Sequence, residues 1–126
     1  MEIPDQGVKG LVLSQGNVLI LYKPTGELDL PGGRVEPSES LEKALKREIF
    51  EESGLKIKVL AFVGDWPFIN GSGREVTINT YLCKVTGGKF RLSDEHISSI
   101  WLGLAELLDA YDQTDGLEPK YLKTAA

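Results

Sequence analysis

The chain has 126 residues, and its 41% hydrophobic and 26% charged content is enough for one compact domain with an ordinary core. Its net charge of −5, with no basic block, argues against a protein that grips nucleic acid mainly by neutralising phosphates. A single cysteine, Cys83, excludes an internal disulfide, and no apolar run approaches the roughly 20 residues of a membrane span.

The opening MEIPDQ lacks the basic-then-apolar pattern of a signal peptide. A soluble cytoplasmic protein is therefore the expectation. Val8 to Leu13 reads as a strand, Ser14 to Asn17 as a turn, and Val18 to Tyr22 as a second strand, which predicts a hairpin. Lys23 to Gly26 breaks the pattern. Leu28-Asp29-Leu30 is short and extended before Pro31, as proline sterics favour. It leads into Gly32-Gly33. Pro37 ends the loop, and Ser38 is the expected helix N-cap. Leu41, Ala44, Leu45 and Ile49 recur at helical spacing and mark one buried face. Gly54 follows them, where a left-handed cap is common.

Leu55 to Val63 is rich in apolar and β-branched residues and reads as a strand, followed by a loop over Asp65 to Gly73. Arg74 to Val85 alternates. Val76, Ile78, Thr80 and Leu82 are expected on the buried face, with Glu75, Thr77, Asn79, Tyr81 and Cys83 on a less apolar one. Cys83 in that run reads as a buried, inert thiol. Thr86 to Lys89 reads as a turn and Ile97 to Leu102 as a strand. Leu104, Leu107, Leu108 and Tyr111 have helical spacing, and the polar tail through Ala126 is expected to be disordered. Strands interleaved with two helices, without repeats or a linker, predict one α/β domain over residues 1–126 with a mixed sheet.

The first helix carries an unusual charge pattern. Glu48, Glu51 and Glu52 fall on one side of its last turns, three and four residues apart. Like charges at that spacing cost about 0.2–0.5 kcal/mol per pair. They also lie at the negative end of the helix dipole. Arg47 can reach Glu51 at i,i+4, but Glu48 has no basic residue three or four positions away. Such a cluster wants a positive partner, and a hard divalent cation with oxygen ligands is the natural one. The bland alternative is a solvated acidic face.

Gly33, Glu39, Arg47, Glu48, Ile49, Glu51, Glu52, Gly54 and Leu55 resemble the Nudix box, G-x5-E-x7-R-E-U-x-E-E-x-G-U with U aliphatic. All nine specified positions match without a gap. The box occupies 23 of the 126 residues, and the flanking strands suit the same family. The resemblance implies a Nudix α/β/α sandwich with a mixed β-sheet, and hydrolysis of a diphosphate linkage in a nucleoside diphosphate joined to another group. Such chemistry must neutralise charge, align a water and remove a proton, which suits divalent cations held by carboxylates. The resemblance further implies that Glu48, Glu51, Glu52 and the Gly32 carbonyl hold Mg2+, with Mn2+ as a substitute. It makes Arg47 the residue that orients the carboxylates and gives Glu39, in the first helical turn, a supporting role. Glu95, in Ser93-Asp94-Glu95-His96, and Glu51 are the candidates for the base.

His96 is the sole histidine. With no cysteine or second histidine near it in sequence, it argues against zinc and is expected to be exposed or packed in a loop. Lys9, Lys23, Arg34 and Arg74 are candidates for phosphate contact, and Trp66, Phe68 and Tyr81 for stacking on a base. Pro67 lies too close to the box for the spacing associated with ADP-ribose enzymes, and no tyrosine matches the dinucleoside polyphosphate enzymes. A nucleoside triphosphate, oxidised or not, is the leading substrate, with a non-catalytic nucleotide-binding Nudix domain as the alternative. Oligomeric state is open, a homodimer included.

Overall fold

The computed structural model describes residues 5–103 and 105–106. Seven strands, β1 (Asp5–Ser14), β2 (Asn17–Tyr22), β3 (Leu28–Asp29), β4 (Gly32–Arg34), β5 (Leu55–Ile69), β6 (Glu75–Gly88) and β7 (Ser98–Gly103), surround one helix, α1 (Leu41–Ser53). The main strand order is β3-β2-β1-β6-β5, with β4 paired to β1 and β7 to β2. The sheet is mixed: β1 and β6 run parallel from Asp5↔Val76 to Leu13↔Lys84, and the other pairings are antiparallel. This is the expected α/β class. The expected β1–β2 hairpin is present, with Gln15 and Gly16 taking left-handed backbone at its tip. The expected second helix falls almost wholly outside the described residues, as does the tail. No described helix is long and apolar enough to cross a membrane.

Both faces of the sheet carry apolar clusters. Alternation along β1 and β2 sends Val8, Val12, Leu19 and Leu21 toward α1, where they meet Ala44, Leu45 and Ile49. The neighbours Leu11, Val18 and Ile20 point the other way and pack with Leu28, Leu30 and Leu102. Gly10 lets the helix come close: a Cβ there would lie 2.8 Å from the Ile49 Cδ1. The face of β6 covered by α1 is the one carrying Tyr81 and Cys83, whereas Val76, Ile78 and Leu82 stay partly exposed. The expected buried face keeps Thr80 fully buried and Leu82 packed on the second cluster, but Asn79, Tyr81 and Cys83 of the other face are buried too. Alternation separates two faces but does not say that both are covered, one by α1 and one by the second apolar cluster. Burial pushes the Cys83 thiol up to about 12, in keeping with an inert core residue.

Three further boundaries differ from expectation. Ser40, two residues after Ser38, caps α1 by accepting from the Lys43 N–H at 3.2 Å. Pro37 and Ser38 instead form a turn closed by Glu39 N–H to Glu36 O, with Ser38 at φ 69°. β5 runs on through Asp65, Trp66, Pro67 and Phe68 to Ile69 where a loop was expected. It is an edge strand, where a proline without an N–H is tolerated, and three register irregularities absorb its bends. Gly87 and Gly88 continue β6, paired with Lys56 and Leu55. Gly54 is the left-handed cap expected, at φ 73°.

Candidate active site

Three segments meet at the C-terminal end of α1. The first is the Gly32-Gly33 turn, held against Lys9 and Val8 of β1. Gly32 has φ 148°, and a Cβ there would collide with the Val8 carbonyl, so glycine is needed on two counts. A Cβ on Gly33 would lie 2.5 Å from the Glu48 carboxyl, so this glycine leaves room for that carboxylate. The second is the last turns of α1. The third is the segment before β7, hung on the helix end by Arg91 N–H to Ser53 O at 2.8 Å and Ser93 N–H to Glu52 O at 3.0 Å. Those bonds occupy carbonyls that a helix end otherwise leaves free.

Glu52 is buried, and its Oε1 accepts the Gly32 N–H at 2.6 Å. Burial pushes its carboxyl up to about 8, against the lowering effect of that N–H and of Lys9. Burial also raises Glu48, with the charges of Glu51 and Glu95 adding to the effect. Arg47 meets several of the carboxylates together. It holds Glu39 through Nε at 2.7 Å and Nη2 at 2.9 Å, and reaches Glu48 at 2.9 Å and Glu51 at 3.3 Å through Nη1. Nη2 also donates to the Arg34 carbonyl at 3.0 Å. Glu48 thus finds its positive partner in the adjacent residue, which helical spacing alone does not reveal. Arg47 holds Glu39 well below the usual carboxylate range, at about 2, and these carboxylates raise Arg47 in turn.

Glu95 and His96 reach the same place from the other side. Among the described residues, Glu52, Glu95 and His96 bring a ligand atom each within 4.8 Å of one another. Glu48 and Glu51 stay with Arg47. His96 is buried, in a chain with Asp29 and Lys9: His96 Nε2 lies 3.5 Å from Asp29 Oδ2, and Lys9 Nζ lies 3.1 Å from Asp29 Oδ1. Sequence reasoning missed Asp29 altogether and left His96 as an exposed or loop-packed residue away from any metal. No local signal marks this cluster, because its members come from β1, β3, α1 and the loop before β7.

The substrate candidates divide. Arg34, Phe68 and Arg74 line a cleft of about 410 Å³ beside Gly33, together with Asn70 and Ser72. Asp5 pairs with both arginines there, at 3.0 Å and 2.9 Å. Lys9 also borders the cleft, but its ammonium is engaged by Asp29 and the Leu30 carbonyl. Tyr81 is not placed to stack on a ligand: it is buried in the α1 core, edge-on to Phe62. Trp66 packs against the opposite cluster, and Lys23 is exposed beyond the end of β2.

A family model of the NUDIX domain matches residues 4–123. The chain belongs to the Nudix family. It is 30% identical over 97 residues to a MutT-like protein of Streptomyces ambofaciens, a match covering 75% of this chain and 61% of that one. Over 87 residues it is 39% identical to a Mycobacterium tuberculosis protein provisionally named 8-oxo-dGTP diphosphatase 2, covering 67% of this chain and 59% of that one. The chain thus spans about three fifths of the length of these curated relatives. The crystal structure of a MutT protein from Methanosarcina mazei Go1 superimposes with a TM-score of 0.78 at 27% identity, covering 98% of this Nudix chain and 92% of that one.

The residues present fit a divalent cation. Carboxylates from α1 and the loop before β7 converge under the glycine turn, and the buried Nδ1 of His96 has no hydrogen-bond partner.

Proposed function

We propose that this Nudix chain is a divalent-cation-dependent hydrolase that cleaves a diphosphate linkage in a nucleoside diphosphate derivative, with a nucleoside triphosphate, oxidised or not, as its leading substrate. The observation that carries this reading is the placement of Glu52. It is a buried carboxylate near Glu48 and Glu95, bonded to the Gly32 N–H of the turn whose Gly33 borders the cleft holding Arg34, Phe68 and Arg74. A MutT-like relative and another named for 8-oxo-dGTP support the triphosphate. A Methanocaldococcus jannaschii relative named ADP-ribose pyrophosphatase, 33% identical over 98 residues, makes ADP-ribose the first competitor to include in a test.

In this reading Glu48, Glu51 and Glu52, with the Gly32 carbonyl and Glu95, hold the cation, Mg2+ or Mn2+. When bound, the cation offsets phosphate charge and acidifies water. Arg47 fixes Glu48 and Glu51 through a guanidinium whose planar fork is itself anchored on Glu39. Arg34 and Arg74 meet substrate phosphates by leaving Asp5, and Phe68 gives a base an apolar face. Glu95 takes the proton from the attacking water: it is exposed at the site, whereas Glu51 is engaged by Arg47. A cytoplasmic location and a single Nudix domain over residues 1–126 belong to the same proposal.

The test is release of phosphate or pyrophosphate from nucleoside triphosphates, oxidised nucleotides and ADP-ribose, with and without Mg2+. Cation-dependent release from a triphosphate supports the reading. Cation-dependent binding without release would leave a nucleotide-recognition domain instead.

A further inference from the structure

His96 has a side chain 4% exposed and an Nδ1 with no hydrogen-bond partner. Its other ring nitrogen, Nε2, faces the Asp29 carboxylate at 3.5 Å, and Lys9 holds that carboxylate in place at 3.1 Å. A carboxylate oxygen accepts hydrogen bonds, so this contact favours the tautomer with the ring proton on Nε2. In that tautomer Nδ1 is the ring atom with a lone pair, and it is buried without a hydrogen-bond partner. It points at Glu52 Oε2, 3.7 Å away, and Glu95 completes a set of three ligand atoms within 4.8 Å. At 3.7 Å the Glu52 oxygen is beyond hydrogen-bond distance of Nδ1, and the buried gap between these polar atoms is a place where a cation would satisfy them together. A histidine whose far nitrogen is pinned by a carboxylate is also how proteins orient an imidazole toward a metal.

We infer that His96 Nδ1 is a direct ligand to the cation, forming with Glu52 and Glu95 a mixed nitrogen and oxygen site that favours Mn2+ or Co2+ over Mg2+. An imidazole nitrogen suits transition ions, whereas Mg2+ selects oxygen donors. Asp29 and Lys9 act behind it, setting the tautomer and angle of the ring. The inference rests on the cation-dependent reading of the site and adds to it a ligand from outside the Nudix box, with the ion selectivity that ligand brings.

The direct test is pulsed electron paramagnetic resonance of the full chain loaded with Mn2+, without substrate, in protein carrying 14N or 15N histidine. Because the chain has one histidine, any histidine nitrogen coupling belongs to His96. The expected result is a coupling of the size of a coordinated imidazole that changes with the isotope. Calorimetric titration of His96→Gln should show Mn2+ affinity falling by about tenfold or more, the scale of losses at metal-site partners, and Mg2+ affinity falling by less. Asp29→Asn, which keeps the ring, should weaken Mn2+ in the same direction. The isotope measurement uses the wild-type chain, so it decides the matter even where a variant does not fold. Mn2+ bound with no histidine coupling would overturn the inference and leave the hydrolase reading standing. No Mn2+ binding at all would overturn both.

Discussion

Arg47 and Glu39 are joined by two hydrogen bonds, Nε to Oε2 at 2.7 Å and Nη2 to Oε1 at 2.9 Å, which tie the middle of α1 to the turn that precedes it rather than to its first turn, where Glu39 was expected. The pair spends one carboxylate on fixing the plane of the guanidinium. The remaining donors then point at Glu48, Glu51 and the Arg34 carbonyl. A repulsive row of glutamates at a helix C-terminus becomes an ordered one, because a single planar cation is shared among its members. Arg47→Lys keeps the charge and loses the fork. We expect kcat to fall about 10- to 100-fold, the scale of a misplaced catalytic group, with the far-ultraviolet circular dichroism unchanged. Activity within about twofold of the wild type would remove Arg47 from this orienting role.

The same pair sets an acid limit. Glu39 titrates at about 2 in the folded chain, against an ordinary 4.5, chiefly because Arg47 bonds to its ionised form. A depressed carboxylate contributes stability that is present above 4.5 and lost as pH falls toward 2. Wild type should therefore melt above Glu39→Gln at neutral pH, with the gap narrowing through that window. Thermal unfolding of both proteins between about pH 7 and pH 3 measures it. A gap that holds constant to the acid end would mean that the Glu39 charge contributes nothing.

Glu95→Gln should raise the cation concentration needed for half-maximal activity, because a ligand is lost. At saturating cation it should still lower kcat by about 100-fold or more, as loss of a general base does, while KM for the nucleotide stays close to the wild-type value. Steady-state kinetics at saturating Mg2+ separate the two. A change confined to KM would make Glu95 a binding residue and return the proton transfer to Glu51.

Two glycines predict opposite phenotypes. Gly33→Ala puts a Cβ against the movable Glu48 carboxyl, so activity should drop by at least about tenfold with little loss of melting temperature. Gly10→Ala puts a Cβ 2.8 Å from Ile49, inside a packed core, and should cost about 1–3 kcal/mol in stability. Denaturant unfolding and turnover, measured on both, should order the two variants oppositely.

The glutamates of α1 were legible in the sequence because one helix holds them and helical spacing is local. The glycine cap and the β1–β2 hairpin were legible for the same reason. What was not legible depends on contacts between elements. Pro67 fell in an expected loop, yet an edge strand tolerates it. Tyr81 looked like a stacking residue until α1 was seen to cover that side of β6. His96, Asp29 and Lys9 lie far apart in the chain and meet only because β1, β3 and the loop before β7 converge on the end of α1. The box glutamates were therefore found and the histidine beside them was not.

The measurement closest to the central claim is turnover of the nucleotide panel by wild type and Glu52→Gln, with Mg2+ and after chelation. The glutamine can still accept the Gly32 N–H through its carbonyl oxygen, so its fold should survive while its charge is gone. Cation-dependent hydrolysis by the wild type, abolished by chelation and by Glu52→Gln, is the predicted result. Hydrolysis that persists in the chelated wild type, or that Glu52→Gln retains in full, would contradict a cation site built on this helix.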